Sequence, residues 1–299
     1  MNTRKFIRRF LALAIRKLHW LFSDKIYLKV YYFIKTGKRL NLKNPKSFNE
    51  KIQWLKLYDR QAIYSTMVDK YNVKKYVSKL IGEEYIIPTL GVWNSFQEID
   101  FDKLPKQFVL KTTHDSGGVE ICKDKGSFNF SKAQNHLNKS LRTKFYLRGK
   151  ELPYKNVKPQ IIAEQFMVDE SNSELKDYKI FTFNGEPKFI QVDFDRFASH
   201  KRNIYDTLWN FIDEQIQYPN DKNRIINKPT SLSKMLDLAK TLSKNTPLLR
   251  VDFYSINSKI YFGELTLYHG SGFEKFSNKN FGFSLGSLIS LPKSNLDSK

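Results

Sequence analysis

Two hydrophobic periods alternate along the chain. Between residues 47 and 80 apolar positions recur at helical intervals, with Ile52, Leu55 and Tyr58 followed by Val68, Tyr71, Val77 and Leu80. Ser47 and Glu50 have the spacing of a capping box, and Gly82 supplies a helix stop. After Tyr85 the period shortens. The apolar runs YIIP (85–88), LGVW (90–93), FVLK (108–111) and VEIC (119–122) alternate with turn residues, and Gly117-Gly118 separates the last two. That is strand, glycine-bearing loop, strand. Residues 131–148 are polar and read as helix or loop. IIAEQFMV (161–168) reads as a buried strand, and YKIFTFNGEPKFIQVDF (178–194) as a hairpin turning at Asn184-Gly185. SLSKMLDLAKTLSK (231–244) is an amphipathic helix. LLRVDFYS (248–255) and KIYFGELTLY (259–268) form a second strand pair around Asn257-Ser258. Strand pairs alternating with helices give an α+β or α/β fold.

The first 46 residues differ from this body. They hold 13 Lys/Arg and one acid, Asp24, of a formal net charge of +21 for the 299-residue chain. Residues 4–22, RKFIRRFLALAIRKLHWLF, contain six bases, no acid, no Pro and no Gly. Phe6, Phe10, Leu13, Ala14, Lys17 and Leu21 fall near one helical face, and Arg4, Arg8, Arg9 and Arg16 fall largely elsewhere. A basic amphipathic helix ending in Trp20 and Phe22 suits an anionic membrane surface, where each base contributes on the order of 1 kcal/mol. The other expectation is a helix packed on the body with its bases in water. FLALAI (10–15) is too short for a signal peptide, and no stretch approaches the ~20 apolar residues of a spanning helix. The chain therefore reads as soluble or peripherally membrane-bound, and cytoplasmic.

Composition narrows the chemistry. The length supports a sizeable core split into two or three subdomains, and 24 Phe, 16 Tyr and 4 Trp argue against disorder. A single Cys, Cys122, excludes an internal disulfide and reads as a buried small hydrophobe. Five scattered His make a structural zinc site improbable. No nucleic-acid-binding motif is present, and the body's lysines are interspersed with acids, so nucleic acid is not the expected partner.

Several residues carry phosphate chemistry. Lys111 ends an apolar strand six residues before Gly117-Gly118, whose backbone N–H groups can approach phosphate oxygens, although the Walker order is absent. Asp252 and Glu264 lie on two strands joined by a turn. If these strands pair, their carboxylates face a common point where Mg²⁺ finds hard oxygen ligands. Arg250 stands two residues before Asp252 and shares its strand face. The competing reading of this trio is a buried ion network.

In combination the blocks are more specific. FVLKTTHDSGG (108–118), IIAEQFM (161–167), DYKIFTFNG (177–185), LLRVDFY (248–254) and YFGELTLYHGSGF (261–273), in this order, resemble the ATP-grasp fold. The resemblance is closest to the TupA-like ATP-grasp proteins, encoded with surface-polysaccharide and teichuronopeptide biosynthesis genes. NPKSFNEKIQWLKLYDR (44–60) and VDKYNVKKYV (68–77) match that family's N-terminal part, and the likeness runs from about Asn44 to Phe283. It implies an α+β fold of two subdomains clasping ATP, behind a basic helical N-terminal extension. The implied divisions are a basic segment at 1–43, a helical subdomain at 44–105, a lid subdomain at 106–168 and a catalytic subdomain at 169–299.

The resemblance also implies roles. Lys111 contacts nucleotide phosphates beneath a lid formed by Gly117 and Gly118, and Glu164 with Gln165, Phe166 and Met167 lies at the adenine or ribose edge. Lys179 is a second cation near the nucleotide or acyl-phosphate, and Arg250 stabilises charge on the transferred phosphoryl group. Asp252 and Glu264 bind Mg²⁺. Relatives with a peptide-ligase site often carry Asn two residues after the metal Glu. Here Thr266 stands there as a neutral oxygen ligand. The implied activity is carboxylate–amine ligation through an acyl-phosphate, using ATP and Mg²⁺. The implied partners are an anionic glycan or uronate and an amine or amino acid.

Two other readings stand beside this one. A sugar transferase of the same pathway needs a metal-binding Asp-x-Asp, for which Asp193-Phe194-Asp195, read as a strand end beside Arg196, is the nearest candidate. A membrane- or glycan-binding scaffold with an inactive nucleotide fold is the second. His114 sits within the glycine-bearing loop, touching phosphate or facing solvent. His269 meets the acceptor substrate or serves a turn. Asp69-Lys70 precedes the ATP-binding half, or is a surface helix pair.

Overall fold

A computed structural model describes residues 3–168, 175–195 and 199–293. Arg196 and the side chains of Arg4, Phe6, Arg8 and Arg9 lie outside the described set. The chain begins with two paired helices, α1 (Thr3–Lys17) and α2 (Asp24–Thr36). Ser23 caps α2 by accepting from the Ile26 N–H, and Gly37 closes it in the left-handed conformation at φ 73°. Among the described side chains of α1, Ala12 and Ile15 are buried, and Phe10 and Leu13 of the expected amphipathic face are exposed.

The helical run expected over residues 47–80 is three helices: α3 (Phe48–Tyr58), α4 (Ile63–Val68) and α5 (Asn72–Ile81). The Ser47–Glu50 capping box is formed in full. Glu50 Oε2 also accepts from the Lys46 N–H, and Glu50 Oε1 accepts from the Asn41 N–H, so one carboxylate organises the whole entry to α3. The run breaks after Tyr58 because Asp59 is committed elsewhere, accepting the Tyr64 hydroxyl at 2.6 Å.

Two antiparallel sheets follow. The smaller contains β1 (Thr89–Trp93), β2 (Phe108–Thr112), β3 (Val119–Cys122) and β4 (Ile161–Gln165) in the order β1-β4-β2-β3. Phe108, Leu110, Cys122 and Ala163 face its own core with α6 (Phe130–Leu141), whereas Lys111 and Glu164 face the other way. The boundary expected between residues 105 and 106 divides this sheet, since β1 is its edge strand and pairs with β4. Of the run at 85–88, Ile86 makes only an isolated bridge to Phe262.

The larger sheet runs β10-β9-β5-β6-β7-β8, with β5 (Asp177–Phe183), β6 (Glu186–Phe194), β7 (Lys201–Asp206), β8 (Phe211–Ile212), β9 (Leu248–Ile256) and β10 (Lys259–Thr266). Both expected hairpins form. Asn184-Gly185 turns at φ 50° and 84°, and Asn257-Ser258 at φ 48° and 64°. Ile180, Val251 and Phe253 are fully buried on one face, where α7 (Leu232–Leu242) packs through Met235, Leu238 and Leu242. Lys179, Arg250 and Asp252 occupy the opposite face. A last helix, α8 (Lys279–Ser287), packs on α3, where a Cβ on Gly286 would sit 2.1 Å from the Lys46 carbonyl oxygen.

The cap at α3 gives a direct test. Ser47→Ala removes one cap acceptor and costs about 1 kcal/mol in urea unfolding. Glu50→Ala strips an acceptor from three backbone N–H groups and costs more than Ser47→Ala. Equal losses would contradict the organising role of Glu50.

Candidate active site

One irregularity of β10 sets up the site. Phe262 pairs with Phe253, but Glu264 pairs with Asp252, so two residues of β10 oppose one step of β9 and Gly263 is a β-bulge. In a regular strand, Phe262 and Glu264 would share a face. The bulge instead leaves Phe262 in the core and turns Glu264 onto the face of Asp252, its direct cross-strand neighbour. A side chain at 263 would meet the Asp252 carbonyl oxygen at 3.0 Å and the Tyr254 ring at 3.3 Å, which is why glycine stands there.

Arg250 joins the two acids. Its Nε and Nη2 donate to the two Asp252 oxygens at 2.7 Å each, and Nη2 also donates to Glu264 Oε1. Thr266 Oγ1 lies 3.2 Å from the same Glu264 oxygen. Burial, reinforced by the Glu264 charge, pushes the Asp252 carboxyl up to about 7 in spite of Arg250. Burial also pushes Glu264 upward, but Arg250 and Lys70 overcome it and hold Glu264 below the ordinary carboxylate range.

The charges continue across the sheet. Lys179 is opposite Asp252 in register, and its ammonium donates to Asp193 at 2.6 Å and Asp177 at 3.3 Å. Arg202 holds Asp193 from β7 at 2.6 Å and reaches Glu274 at 3.4 Å. Arg250 Nη1 donates to His269 Nδ1 at 2.9 Å. A guanidinium cannot accept, so that ring nitrogen is the acceptor and the proton sits on Nε2, 2.5 Å from Glu274 Oε2.

The smaller sheet supplies the facing wall. Lys111 and Lys74 hold Glu164 between them at 2.5 Å each. Burial pulls the Lys111 pKa down, but Glu164, with Glu264 and Asp177 adding to it, pushes it above the usual lysine value. Lys70 lines the cleft with Ser116 and Gly117, and its ammonium donates to the backbone carbonyls of Thr112 and Asp115. The Asp115 carboxylate accepts from Thr112 and Ser140, tying the glycine-bearing loop to α6. Gly117 adopts φ 113° with open space around it. A Cβ on Gly118 would lie 1.9 Å from the Thr112 hydroxyl.

Between these walls lies a cleft of about 540 Å³. It runs from Lys70, Ser116 and Gly117 past Arg250, Glu264 and Thr266 to Tyr31, Arg148 and Phe273. Of the expected site residues, Arg250, Glu264, Thr266 and Gly117 line it, Asp252 and Lys179 lie in the charged row behind, and Lys111, Gly118 and Glu164 do not line it. Gln165, the last residue of β4, and Phe166 and Met167 after it do not line it either. His114 turns inward, with Nε2 against the Thr143 carbonyl at 3.1 Å, so it neither faces solvent nor lines the cleft. His269 opens the 3₁₀ turn His269–Gly272, as its turn reading expects, and is buried in the charge network. Asp193 is fully engaged by Lys179 and Arg202, which hold it far below the usual carboxylate range against burial, and this leaves Asp193-Phe194-Asp195 unsuited to a metal. Cys122 is buried, as its environment in a β-strand dictates.

The donor set fits Mg²⁺. Asp252 and Glu264 are opposed carboxylates sharing one cation already, with a hydroxyl beside them, and an Asp252 held near 7 is relieved by added positive charge. Among the described residues no group of three or more His, Cys, Asp or Glu forms a metal cage.

The TupA-like ATP-grasp family matches residues 50–290. The chain belongs to that family. No curated protein sequence matches it. Among solved structures, D-alanine–D-alanine ligase of Helicobacter pylori is similar at 14% identity and TM-score 0.47, covering 84% of this chain and 69% of that one. D-Alanine–D-alanine ligase of Bacillus anthracis, solved with ATP, gives 16%, 0.38, 68% and 54%. A RimK-domain ATP-grasp protein of Sphaerobacter thermophilus gives 11%, 0.42, 78% and 70%.

Several residues of this TupA-like chain join the site without a sequence signal strong enough to find them. Of the two readings of Asp69-Lys70, a segment preceding the ATP-binding half or a surface helix pair, the structure favours the first for Lys70, which lines the cleft beneath the loop. Lys56 is fully buried on α3, donating to the Ser271 carbonyl and hydroxyl at 2.8 Å, and burial pushes its ammonium down to about 8 against Glu151. Ser271 in turn donates to Glu151, so the cleft floor is pinned from two directions. Glu274 and Arg202 are 72 residues apart and no local pattern links them.

Glu274 offers a pH test. Burial pushes it up, but His269 and Arg202 prevail and lower it from 4.5 to about 2. Its folded pKa is depressed, so its stabilisation is present above about 4.5 and lost as pH falls toward 2. The full difference corresponds to about 3 kcal/mol. Glu274→Gln costs up to that amount at pH 7, and the gap from wild type narrows as denaturant melts are repeated between pH 5 and pH 2. A gap independent of pH would show that the carboxylate charge does not matter.

Proposed function

We propose that this protein is an ATP-dependent carboxylate–amine ligase acting through an acyl-phosphate, with a uronic-acid-containing surface polysaccharide or its precursor as the acid and an amino acid or other amine as the acceptor. The observation that carries the reading is Arg250 shared between Asp252 and Glu264 at the middle of a cleft whose other wall bears Lys70 and the glycine loop. A substrate carboxylate oxygen attacks the γ-phosphorus of ATP, the bond to the β-phosphate oxygen breaks, and ADP leaves. The amine nitrogen then attacks the acyl carbon and the phosphate departs, with the amine proton lost to solvent or phosphate.

In this reading the protein positions and neutralises charge, because phosphoryl transfer leaves little covalent work for side chains. Lys111 and the backbone at Gly117 and Gly118 receive the phosphates, with Lys70 beside them. The family resemblance puts the nucleoside end at Glu164, Gln165, Phe166 and Met167, which lie outside the cleft lining, with Glu164 held by Lys74 and Lys111. Arg250 meets the transferred phosphoryl group, and Lys179 keeps the row behind it positive. Asp252, Glu264 and Thr266 would hold Mg²⁺, which when bound supplies Lewis-acid neutralisation of the phosphates. Water exclusion by the two facing walls protects the acyl-phosphate.

The test is ADP release. Mg·ATP with a uronate and an amine yields ADP only when both are present, and Glu264→Gln lowers the rate by about 10²-fold or more. Sugar transfer from a nucleotide-sugar without ATP consumption would overturn the reading in favour of the transferase.

The basic N-terminus supports a place on the cytoplasmic membrane face. Phe10, Leu13, Trp20 and Leu21 are exposed, and α2 adds Ile26 and Phe33, all among an excess of bases. Among the described residues no helix is long and apolar enough to cross a membrane. Replacing Phe10, Leu13 and Trp20 by Ser keeps every charge, and is expected to weaken sedimentation with vesicles of about one-third anionic lipid by roughly tenfold. Unchanged sedimentation would refute the membrane contact.

A further inference from the structure

Three carboxylates line the cleft among the described residues: Asp115, Glu151 and Glu264. Two of them are committed. Asp115 accepts from the Thr112 and Ser140 hydroxyls, and Glu264 shares Arg250 with Asp252. Glu151 differs. It is buried, its Oε1 accepts from the Ser271 hydroxyl, and the Lys56 ammonium stays 3.7 Å from that same oxygen, beyond hydrogen-bond reach. Its Oε2 has no partner among the described residues. A buried carboxylate with one oxygen anchored and the other unanswered lacks an N–H donor.

The fold holds this carboxylate in place deliberately. Ser271 adopts φ 53° between Gly270 and Gly272, left-handed backbone that a serine keeps only when its surroundings impose it. Lys56 imposes it, donating to the Ser271 carbonyl and hydroxyl at 2.8 Å each from a side chain with no exposure of its own. A Cβ at Gly149 would meet Glu151 Oε1 at 3.0 Å and Lys56 Nζ at 3.2 Å, so glycine there lets the three groups close up. Glu151 also stands near the reacting centre. His269, bound to Arg250, is two residues before Ser271, a span of at most about 7 Å. Tyr154 lines the cleft between them, its ring edge-on to Phe145 at 4.8 Å and its N–H on the Glu151 carbonyl at 3.2 Å. Burial, then the charges of Glu151 and Glu264, raises its hydroxyl against the opposing charge of Arg250. That hydroxyl has no hydrogen-bond partner among the described residues.

We infer that Glu151 selects the acceptor: its Oε2, together with the Tyr154 hydroxyl, takes the N–H donors of a primary amine that arrives as an ammonium, beside the acyl group at Arg250. The inference rests on the ligase reading of the centre, to which it adds the residues that meet the acceptor. The chemistry selects this class. An alcohol supplies one donor and no charge, and an anionic group at this point faces Glu151. An ammonium supplies three N–H donors and the positive charge that Lys56, held off by the Ser271 hydroxyl, only partly provides. Having lost one proton to solvent, the nitrogen keeps an N–H on Oε2 and turns its lone pair to the acyl carbon. The C–N bond forms, the acyl C–O bond to phosphate breaks, and the second proton leaves with the phosphate. Lys56 and Ser271 act through Glu151 as positioning residues.

Glu151→Gln keeps the shape and an oxygen for Ser271 while removing the charge, and Tyr154→Phe removes only the hydroxyl. The full-length proteins are assayed for ADP release with Mg·ATP, galacturonate and one of two acceptors. Glycinamide is largely cationic at pH 7, whereas hydroxylamine is neutral and traps an acyl-phosphate without needing a charged subsite. The ratio of kcat/KM for glycinamide to that for hydroxylamine is expected to fall at least about tenfold in Glu151→Gln, chiefly through the KM for glycinamide, and about threefold in Tyr154→Phe. In the wild type the KM for glycinamide rises with salt. A ratio unchanged in both variants overturns the subsite, as does an equal loss with both acceptors in folded protein or a wild type that uses hydroxylamine but not glycinamide. If a thermal melt shows Glu151→Gln unfolded, Tyr154→Phe decides by the same ratio. A wild type that releases no ADP with either acceptor would instead overturn the ligase reading.

Discussion

The site depends on keeping Asp252, buried, and Glu264, half-exposed to the cleft, side by side on one sheet face. Two carboxylates at neighbouring cross-strand positions repel, and removing Asp252 from water costs several kcal/mol unless a cation and hydrogen bonds compensate. Arg250 answers both, but it too is buried, and its own remaining N–H must find an acceptor. His269 supplies one through Nδ1, which forces the ring proton toward Glu274. Glu274 then draws on Arg202, Arg202 on Asp193, and Asp193 on Lys179, which returns to the register position facing Asp252. Each charge is tolerable only because the next is there. A network of this kind is weak evidence for stability, since apolar residues of similar volume would fill the space at less cost. Its presence on the one sheet face that borders the cleft is what links it to a charged ligand.

Much of this was legible in the sequence, for identifiable reasons. The capping box before α3, the two hairpins and the buried strands are local, and their signals lie within a few residues of one another. The sharing of a face by Arg250 and Asp252 follows from the two-residue period of a strand. The opposition of Glu264 to Asp252 does not. Simple alternation from Phe262 would send Glu264 into the core, and only the bulge at Gly263, a matter of register between strands, reverses it. The helix α2 and strand β7 carry weak sequence signals because aromatic or polar residues share their buried positions with Leu28, Ile34 and Ile204. Arg202 and Asn203 are buried through an ion pair and a carbonyl contact with distant residues, so no apolar alternation marks the strand. The positions of His114 and Lys56 are not legible for the same reason: their partners are backbone carbonyls, which a sequence does not display.

The carbonyl contacts of Lys70 also tie the site to the fold around it. Lys70 follows α4, which packs on β10 and on the 3₁₀ turn Leu152–Asn156, and its ammonium reaches the two ends of the loop segment Thr112–Asp115. The glycine loop is thus held at its base from outside its own sheet. A cation that donates to carbonyls has protons in fixed directions and a charge that those carbonyls only partly neutralise. Such a group favours an arriving anion without needing to rearrange, which is the preorganisation that electrostatic catalysis requires.

The same reasoning separates the two ends of the cleft. At the loop end the flexible backbone of Gly117 and the carbonyl-bound Lys70 suit a compact anion that accepts from N–H groups. At the outer end Lys35 and Arg148 lie over the Tyr31 and Phe145 rings, on elements held together by Asp24, Lys150 and Tyr27. Between them stand Arg250 and its two acids. A substrate that is anionic at one end and reactive at the other would therefore be oriented by electrostatics before any contact specific to its shape. Reversing it would place its anionic end against Glu264. Orientation in this cleft is a consequence of where the fold leaves charge uncompensated.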